Sequence, residues 1–202
     1  PTFAHVPLIL GPDKTRLSKR HGATSVIAYK DMGIVPEAFR NFLALLGWSP
    51  GPQHKDRELF SSDELIRLFS LDGISKSNAV FDNDKLAWFN TEYIRAYDSA
   101  KLLPLIEEEW RVADLKPNRS QMEVLAAIEL LKPRARNLKD FASSFRAYFT
   151  DSFEYDSAAV TKFLADPALP GLLRELAHRY AAAPEFTEGR ATSPDHSMRG
   201  LC

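Results

Sequence analysis

PEAFRNFLALLG, Pro36 to Gly47, is the stretch on which the fold turns. Pro36 suits the first position of a helix, where no backbone N–H is needed, and Glu37 suits its positive end. Gly47 suits the C-terminal stop. Between them Phe39, Phe42, Leu43 and Leu46 recur at i, i+3, i+4 and i+7. That spacing puts four apolar side chains on one face of a helix, whereas a half-buried strand would alternate with period two.

The same period continues downstream. Ser61 and Glu64 form a capping-box pair that opens a helix through Phe69. Asp82 suits the N-cap of another helix, on which Leu86 and Phe89 share a face. Leu103, Ile106 and Trp110 line a third, and Val124, Leu125, Ile128 and Leu131 a fourth. Leu138, Phe141 and Phe145 mark a fifth, and Leu173, Leu176, Ala177 and Tyr180 a last. SPGPQHKD and LKPNRS break the chain between them. Upstream, FAHVPLIL (Phe3 to Leu10) is short, partly alternating and interrupted by Pro7, the pattern of an edge strand or a strand end. Almost nothing beyond Ser25 alternates with period two. The expected class is therefore mainly α, a helical bundle with a short N-terminal β stub whose sheet partners lie outside this chain. EGRATSPDHSMRGLC, residues 188–202, has no apolar period and reads as a disordered or foreign tail.

The totals narrow the function. At 202 residues, 45% of them apolar, the chain can bury one large core or two small ones. A formal net charge of −1 gives no molecule-wide pull on nucleic acid or an anionic membrane. Anion binding must come from local clusters. No apolar run reaches the length of a bilayer span, and the N-terminus does not read as a secretion signal. Cys202, the single cysteine, fits a reducing compartment, so the expected location is cytoplasmic. The scattered histidines suggest no metal cluster.

Charge gathers in two islands. The first runs from Lys14 to His21 and lies largely in TRLSKRHGA (Thr15 to Ala23), where Arg16, Lys19, Arg20 and His21 surround Ser18. Gly11 and Gly22 bracket it, so the backbone is free to bend around a ligand, and Ser18 offers a small hydroxyl among cations. The second is LKPRARNLK, where Lys132, Arg134, Arg136 and Lys139 occur with no acid among them. An acidic run, Glu107 to Glu109, offsets part of this charge. Solvated helix ends explain such clusters as readily as polyanion binding does, and composition alone leaves both open.

RLSKRHGATSV resembles the second signature loop of class I aminoacyl-tRNA synthetases, the KMSKS loop, in the form found in glutamyl-tRNA synthetases. AFRNFLALLGWSPG, FDNDKLAWFNTEYIR and LKPRARNLKDF resemble the same family in the same order, so the likeness runs from about Phe3 to Thr187. It implies ATP-dependent activation of glutamate and its transfer to tRNA. It implies that Lys19, matching the signature's second lysine, contacts the phosphates. Ser18 then bonds ATP or braces the loop. Arg16 keeps the charge of the first lysine with a different donor geometry, and Arg20 stands in place of the last serine. Arg16, Ser18 and Lys19 are the candidate catalytic residues, with Ser18, Lys19 and Arg20 as ATP contacts. His21 is a loop-packing residue or a ligand.

The likeness divides the chain into the end of a catalytic domain (1–23), a stem-contact helical domain (24–100), an incomplete anticodon-binding region (101–187) and an unmatched tail (188–202). In it Leu45, Leu46, Trp48, Trp88 and Phe89 read as core, while Tyr93 and Arg95 are candidates for a polar role. Arg134 and Arg136 stack on, or hydrogen-bond with, splayed anticodon bases, joined by Lys132 in the tRNA-binding set, and Lys132 and Lys139 meet phosphates or water. The family's nucleotide-binding fold and its HIGH-type motif are absent before Gly11. The expectation is that ATP, with Mg2+, and glutamate bind only with that missing half, and that this chain alone binds no cofactor or metal, is inactive, and has tRNA, not DNA or membrane, as its partner. The alternative is a free-standing helical RNA-binding or scaffold protein derived from such an enzyme.

Overall fold

The computed structural model describes residues 1, 3–22 and 25–182. The chain divides into two compact units, Pro1–Phe153 and Glu154–Cys202. In the first, β1 (Ile9–Leu10) pairs in parallel with β2 (Ala79–Val80), Ile9 opposite Ala79 and Leu10 opposite Val80. The partner of the N-terminal strand thus lies within the chain, against expectation. Two residues are too few to show an alternating pattern, which is why β2 left no trace in the sequence.

The helices follow their caps. Ser25 opens α1 (Val26–Asp31), its hydroxyl accepting from Ala28 N at 3.2 Å. Pro36 stands at the start of α2 (Pro36–Leu45). Ser61 and Glu64 make the expected capping box at the head of α3 (Ser62–Leu68). Asp82 accepts from Asp84 N and Lys85 N to start α4 (Asn83–Ala96). Asp98 does the same for α5 (Ser99–Val112), and Ser120 with Glu123 caps α6 (Gln121–Leu131). A short α7 (Arg146–Phe149) follows. Phe42, Phe89, Ile106, Ile128, Phe141 and Phe149 are buried in one continuous core that α2, α4, α5, α6 and α7 share. Trp48, Phe60 and Leu65 form a separate small cluster.

Two stripes differ from expectation. In α2 the buried face is Ala38, Asn41 and Phe42, while Phe39 and Leu46 are half-buried and Leu43 is 39% exposed. The face is rotated because Asn41, a polar residue, is drawn inside. Its Oδ1 accepts from Phe60 N at 2.7 Å and from the Tyr93 hydroxyl at 2.7 Å. Leu43 and Leu46 instead border an apolar hollow of about 280 Å³ with Val6, Ile9, Trp48 and Ile74. Leu138 and Phe141 lie on a short 3-10 turn, and Phe149 fills the core where Phe145 was expected, Phe145 being only half-buried.

The second unit, described as far as residue 182, holds α8 (Ser157–Ala159), a π turn over Val160–Leu164, and α9 (Leu169–Ala181), the last helix read from the sequence. The tail at 188–202 lies outside the described residues. No helix among the described residues is long and apolar enough to cross a membrane.

Candidate functional site

The first cationic island is a tight reversal hung from β1. Gly11 N donates to Thr15 O at 2.8 Å, Lys14 N to Gly11 O at 2.9 Å, and Leu17 N to Ile9 O at 2.9 Å. Lys14 sits at φ 60° and Gly22 at φ 108°, so the turn bends through left-handed backbone at both ends. The side chain of Leu17 packs on the core and anchors the loop. Asp13 braces it, accepting from the Thr15 hydroxyl at 2.7 Å and from the Arg20 guanidinium at 3.3 Å. Arg20 also donates to the Thr15 hydroxyl at 2.7 Å, so this cation is folded back on its own loop.

Arg16 and Lys19 differ from Arg20. Both are exposed, and among the described residues no carboxylate forms an ion pair with either. Thr15 to Arg20 line an open concavity, with Ser18 half-buried on its wall. Lys19 begins a 3-10 turn that runs to His21. The backbone thus brings Arg16, Ser18, Lys19 and Arg20 to one hollow, two of the cations uncommitted and one held by Asp13.

The second island is built otherwise. Lys132 is buried, its ammonium donating to Tyr97 O at 2.8 Å and pairing with Glu129 at 2.8 Å. It serves the fold, and it stands apart from the exposed Arg134 and Arg136. Between those two, Ala135 is fully buried in extended backbone (φ −75°, ψ 130°). Arg134 closes the 3-10 turn Lys132–Arg134 and Arg136 follows the buried Ala135, so two exposed arginines flank one buried residue. Arg136 N donates to Asp140 Oδ2 at 2.7 Å, and Arg136 O accepts from Asn90 Nδ2 at 2.8 Å. Lys139 pairs with Glu109 at 3.3 Å. Glu108 is bridged by Arg111 at 2.7 Å, and that bond, with the field of Lys30 also acting, holds its carboxyl below the usual range. The acidic run is therefore largely answered within the unit.

The remaining candidates sort cleanly. Trp48 is core, its indole N–H donating to Ser70 O at 3.1 Å, and Phe89 is fully buried. Trp88, read as core, is 41% exposed. The hydroxyl of Tyr93 lies 2.6 Å from Phe60 O and is shared with Asn41, and burial raises its pKa. Arg95 pairs with Glu92 at 2.8 Å. Among the described residues no group of three His, Cys, Asp or Glu side chains stands ready to hold a metal ion. Residue-by-residue reading missed Asp13, Asn41, Asn90 and Asp140. A signal existed for Asn90: it follows Leu86 and Phe89 on the apolar face of α4, where a polar residue needs a buried partner.

Residues 1–88 match the family model of the class I tRNA synthetases (E and Q), catalytic domain, and residues 95–193 match that of the anticodon binding domain. Over 189 residues the chain is 67% identical to glutamate–tRNA ligase 2 of Koribacter versatilis, an overlap of 93% of this chain and 39% of that protein. The chain belongs to the class I glutamyl-tRNA synthetase family. A second member of the family, the glutamate–tRNA ligase of Syntrophobacter fumaroxidans, is 46% identical over 195 residues, 96% of this chain and 40% of its own length. A solved glutamate tRNA ligase of Elizabethkingia meningosepticum, in complex with its amino acid, superposes with a TM-score of 0.71 at 31% identity, covering 91% of this chain and 39% of that one. The chain thus spans about two fifths of the length of the family members it matches.

Proposed function

We propose that this chain is the part of a glutamate–tRNA ligase that grips the leaving phosphates and takes hold of the tRNA. The observation that carries the reading is the pair Arg16 and Lys19: exposed on a braced loop, lining one hollow, and unpaired with any carboxylate among the described residues. Cations left unanswered by the fold suit a polyphosphate, and the half-buried Ser18 adds a hydroxyl beside them. Bound ATP, accompanied by Mg2+, supplies the phosphoanhydride whose cleavage activates the glutamate carboxylate. Lys19 and Arg16 hold the negative charge that grows on the departing oxygens, and Ser18 orients one of them. Fixed cations at that point stabilise the transition state more than the ground state. Arg20, tied to Asp13, holds the loop in shape and adds a weaker contact.

The division of labour follows the sequence: residues 1–23 close the catalytic domain, 24–100 contact the tRNA stem, and 101–187 begin the anticodon-binding region. Arg134 and Arg136 read unpaired anticodon bases, and Lys132 braces the turn that carries them. The partner is tRNA, not DNA or a membrane, and the setting is the cytoplasm. The free-standing scaffold reading is not favoured, since the relatives matched over 93% and 96% of this chain are ligases. Two measurements test the proposal. The purified chain shows no glutamate-dependent pyrophosphate exchange, because orienting groups supply much of the rate and a phosphate loop alone lacks them. It binds tRNA, with affinity that falls as salt rises through counterion release. Turnover by the isolated chain, or tRNA binding indifferent to salt, overturns the reading.

A further inference from the structure

We propose that Asn90 is the positioning residue of the Arg134–Arg136 pair, setting the direction of both guanidiniums through one buried side-chain amide. This rests on the reading that those arginines contact unpaired RNA bases. Asn90 is fully buried and uses both ends of its amide. Its Oδ1 accepts from Val35 N at 2.8 Å. Its Nδ2 donates to Gly33 O at 3.2 Å and to Arg136 O at 2.8 Å. Three segments remote in sequence thus meet at one group: the turn before α2, the middle of α4 and the second cationic island. Gly33 O also accepts from Leu138 N at 3.0 Å, so that turn is tied to the island by a second bond. Arg136 O has Asn90 as its side-chain partner on the inner side, while Arg136 N is held from the other side by Asp140 at 2.7 Å. The peptide groups flanking the Arg136 side chain are therefore fixed at both ends. Ala135, fully buried between the two arginines, packs the segment into the core. A side chain that must aim at a base needs such a fixed root, because aim is lost when the supporting contacts slacken.

The test uses the full 202-residue chain and an RNA stem-loop carrying the anticodon of the glutamate tRNA, beside the same stem-loop with its anticodon bases replaced. Asn90→Ser is expected to weaken binding of the first RNA by about tenfold, the scale of one lost hydrogen bond to a charged group, and to narrow the gap between the two RNAs. Placed on an Arg134→Ala/Arg136→Ala background, it changes nothing further. Leu65→Ala, in the separate Trp48 cluster, lowers stability without touching the gap. An Asn90→Ser protein that is folded and binds like the parent, or that weakens binding equally in both backgrounds, overturns the proposal and leaves the arginine reading standing. An Arg134→Ala/Arg136→Ala protein that binds like the parent overturns both. Should Asn90→Ser not fold, the side-chain amide signal of Asn90 in the isotope-labelled unaltered chain is followed as stem-loop is added. A shift supports the proposal, and an unmoved signal at saturation overturns it.

Discussion

The two cationic segments have similar composition and are built in opposite ways. In the first, the bonds that shape the loop join residues two to eight apart: Thr15 to Asp13, Lys14 to Gly11, Arg20 to Asp13, Leu17 to Ile9. In the second, local bonds such as Arg136 to Asp140 are joined by others that span 30, 35 and 46 residues: Lys139 to Glu109, Lys132 to Tyr97, Asn90 to Arg136. A segment held by local bonds shifts without disturbing the rest of the fold, and one held by remote bonds moves only with it. The first suits a group that follows charge as a bond breaks. The second suits a group that must present the same face to every incoming RNA. Equal charge therefore says little about role, whereas the span of the supporting bonds says much.

The sharpest way to break this contrast is Lys19→Ala in the complete ligase. It is expected to slow glutamate activation by about 100- to 1,000-fold, the scale of one removed charge-stabilising donor, with no change in the urea midpoint. Arg20→Ala, whose guanidinium already answers Asp13 at 3.3 Å, is expected to cost about tenfold or less on the same scale. A larger loss at Arg20 than at Lys19, measured by pyrophosphate exchange, would show that the brace and the grip have been assigned the wrong way round.

Lys132→Ala inverts that pattern. The ammonium lies inside the fold, and removing it leaves Tyr97 O without this donor and Glu129 without its cation. The expected cost is about 1–3 kcal/mol of stability, read from urea unfolding. Unchanged stability would make the second island as loosely held as the first and remove the difference between them.

Glycines extend the comparison to the backbone. Gly33 stands at φ 80°, and a Cβ there would lie 3.0 Å from Leu138 N, against the second island. Gly22 stands at φ 108° beside the first, and a Cβ there meets nothing within 4 Å. Both Ala substitutions carry the left-handed backbone penalty of about 1–2 kcal/mol, and only Gly33→Ala adds crowding. Thermal melts that place Gly22→Ala below Gly33→Ala would contradict the picture of a loop with room around it.

Much of this was legible in the sequence because caps and apolar period are local. Ser61 with Glu64, Asp82, and Leu103 with Ile106 and Trp110 announced their helices, and the ordered motifs announced the family. What escaped was set by tertiary partners. Asn41 and Asn90 are ordinary surface residues by type, and only the fold shows them satisfying Phe60 N, Val35 N and Arg136 O from inside. The burial of Lys132 escaped for the same reason: its type predicts solvent, and its partner is a carbonyl 35 residues away. The strand pair escaped because each strand has two residues.

Acid offers the smallest effect and the finest test of how the helical body is clamped. The Glu64 carboxylate accepts from Ser61 N and from Arg57, and these bonds hold its pKa down to about 2 from the ordinary 4.5. The Arg119 guanidinium, with Asn118 beside it, holds Asp151 at about 2 from the ordinary 3.8. A carboxyl whose folded pKa lies below its unfolded value stabilises the fold fully above the unfolded value, and that contribution is lost as pH falls toward the folded one. Both clamps are solvent-exposed and screened, so each is small. Melting temperature is therefore expected to hold steady from pH 7 to about 5 and to decline from there to about 2, the window set by these two pKa values. Asp151→Asn and Glu64→Gln should each melt lower near neutrality and flatten part of that decline. A decline of unchanged steepness in both variants would mean that acid attacks the body elsewhere, and that its remote contacts rest less on these carboxylates than on the buried amides of Asn41 and Asn90.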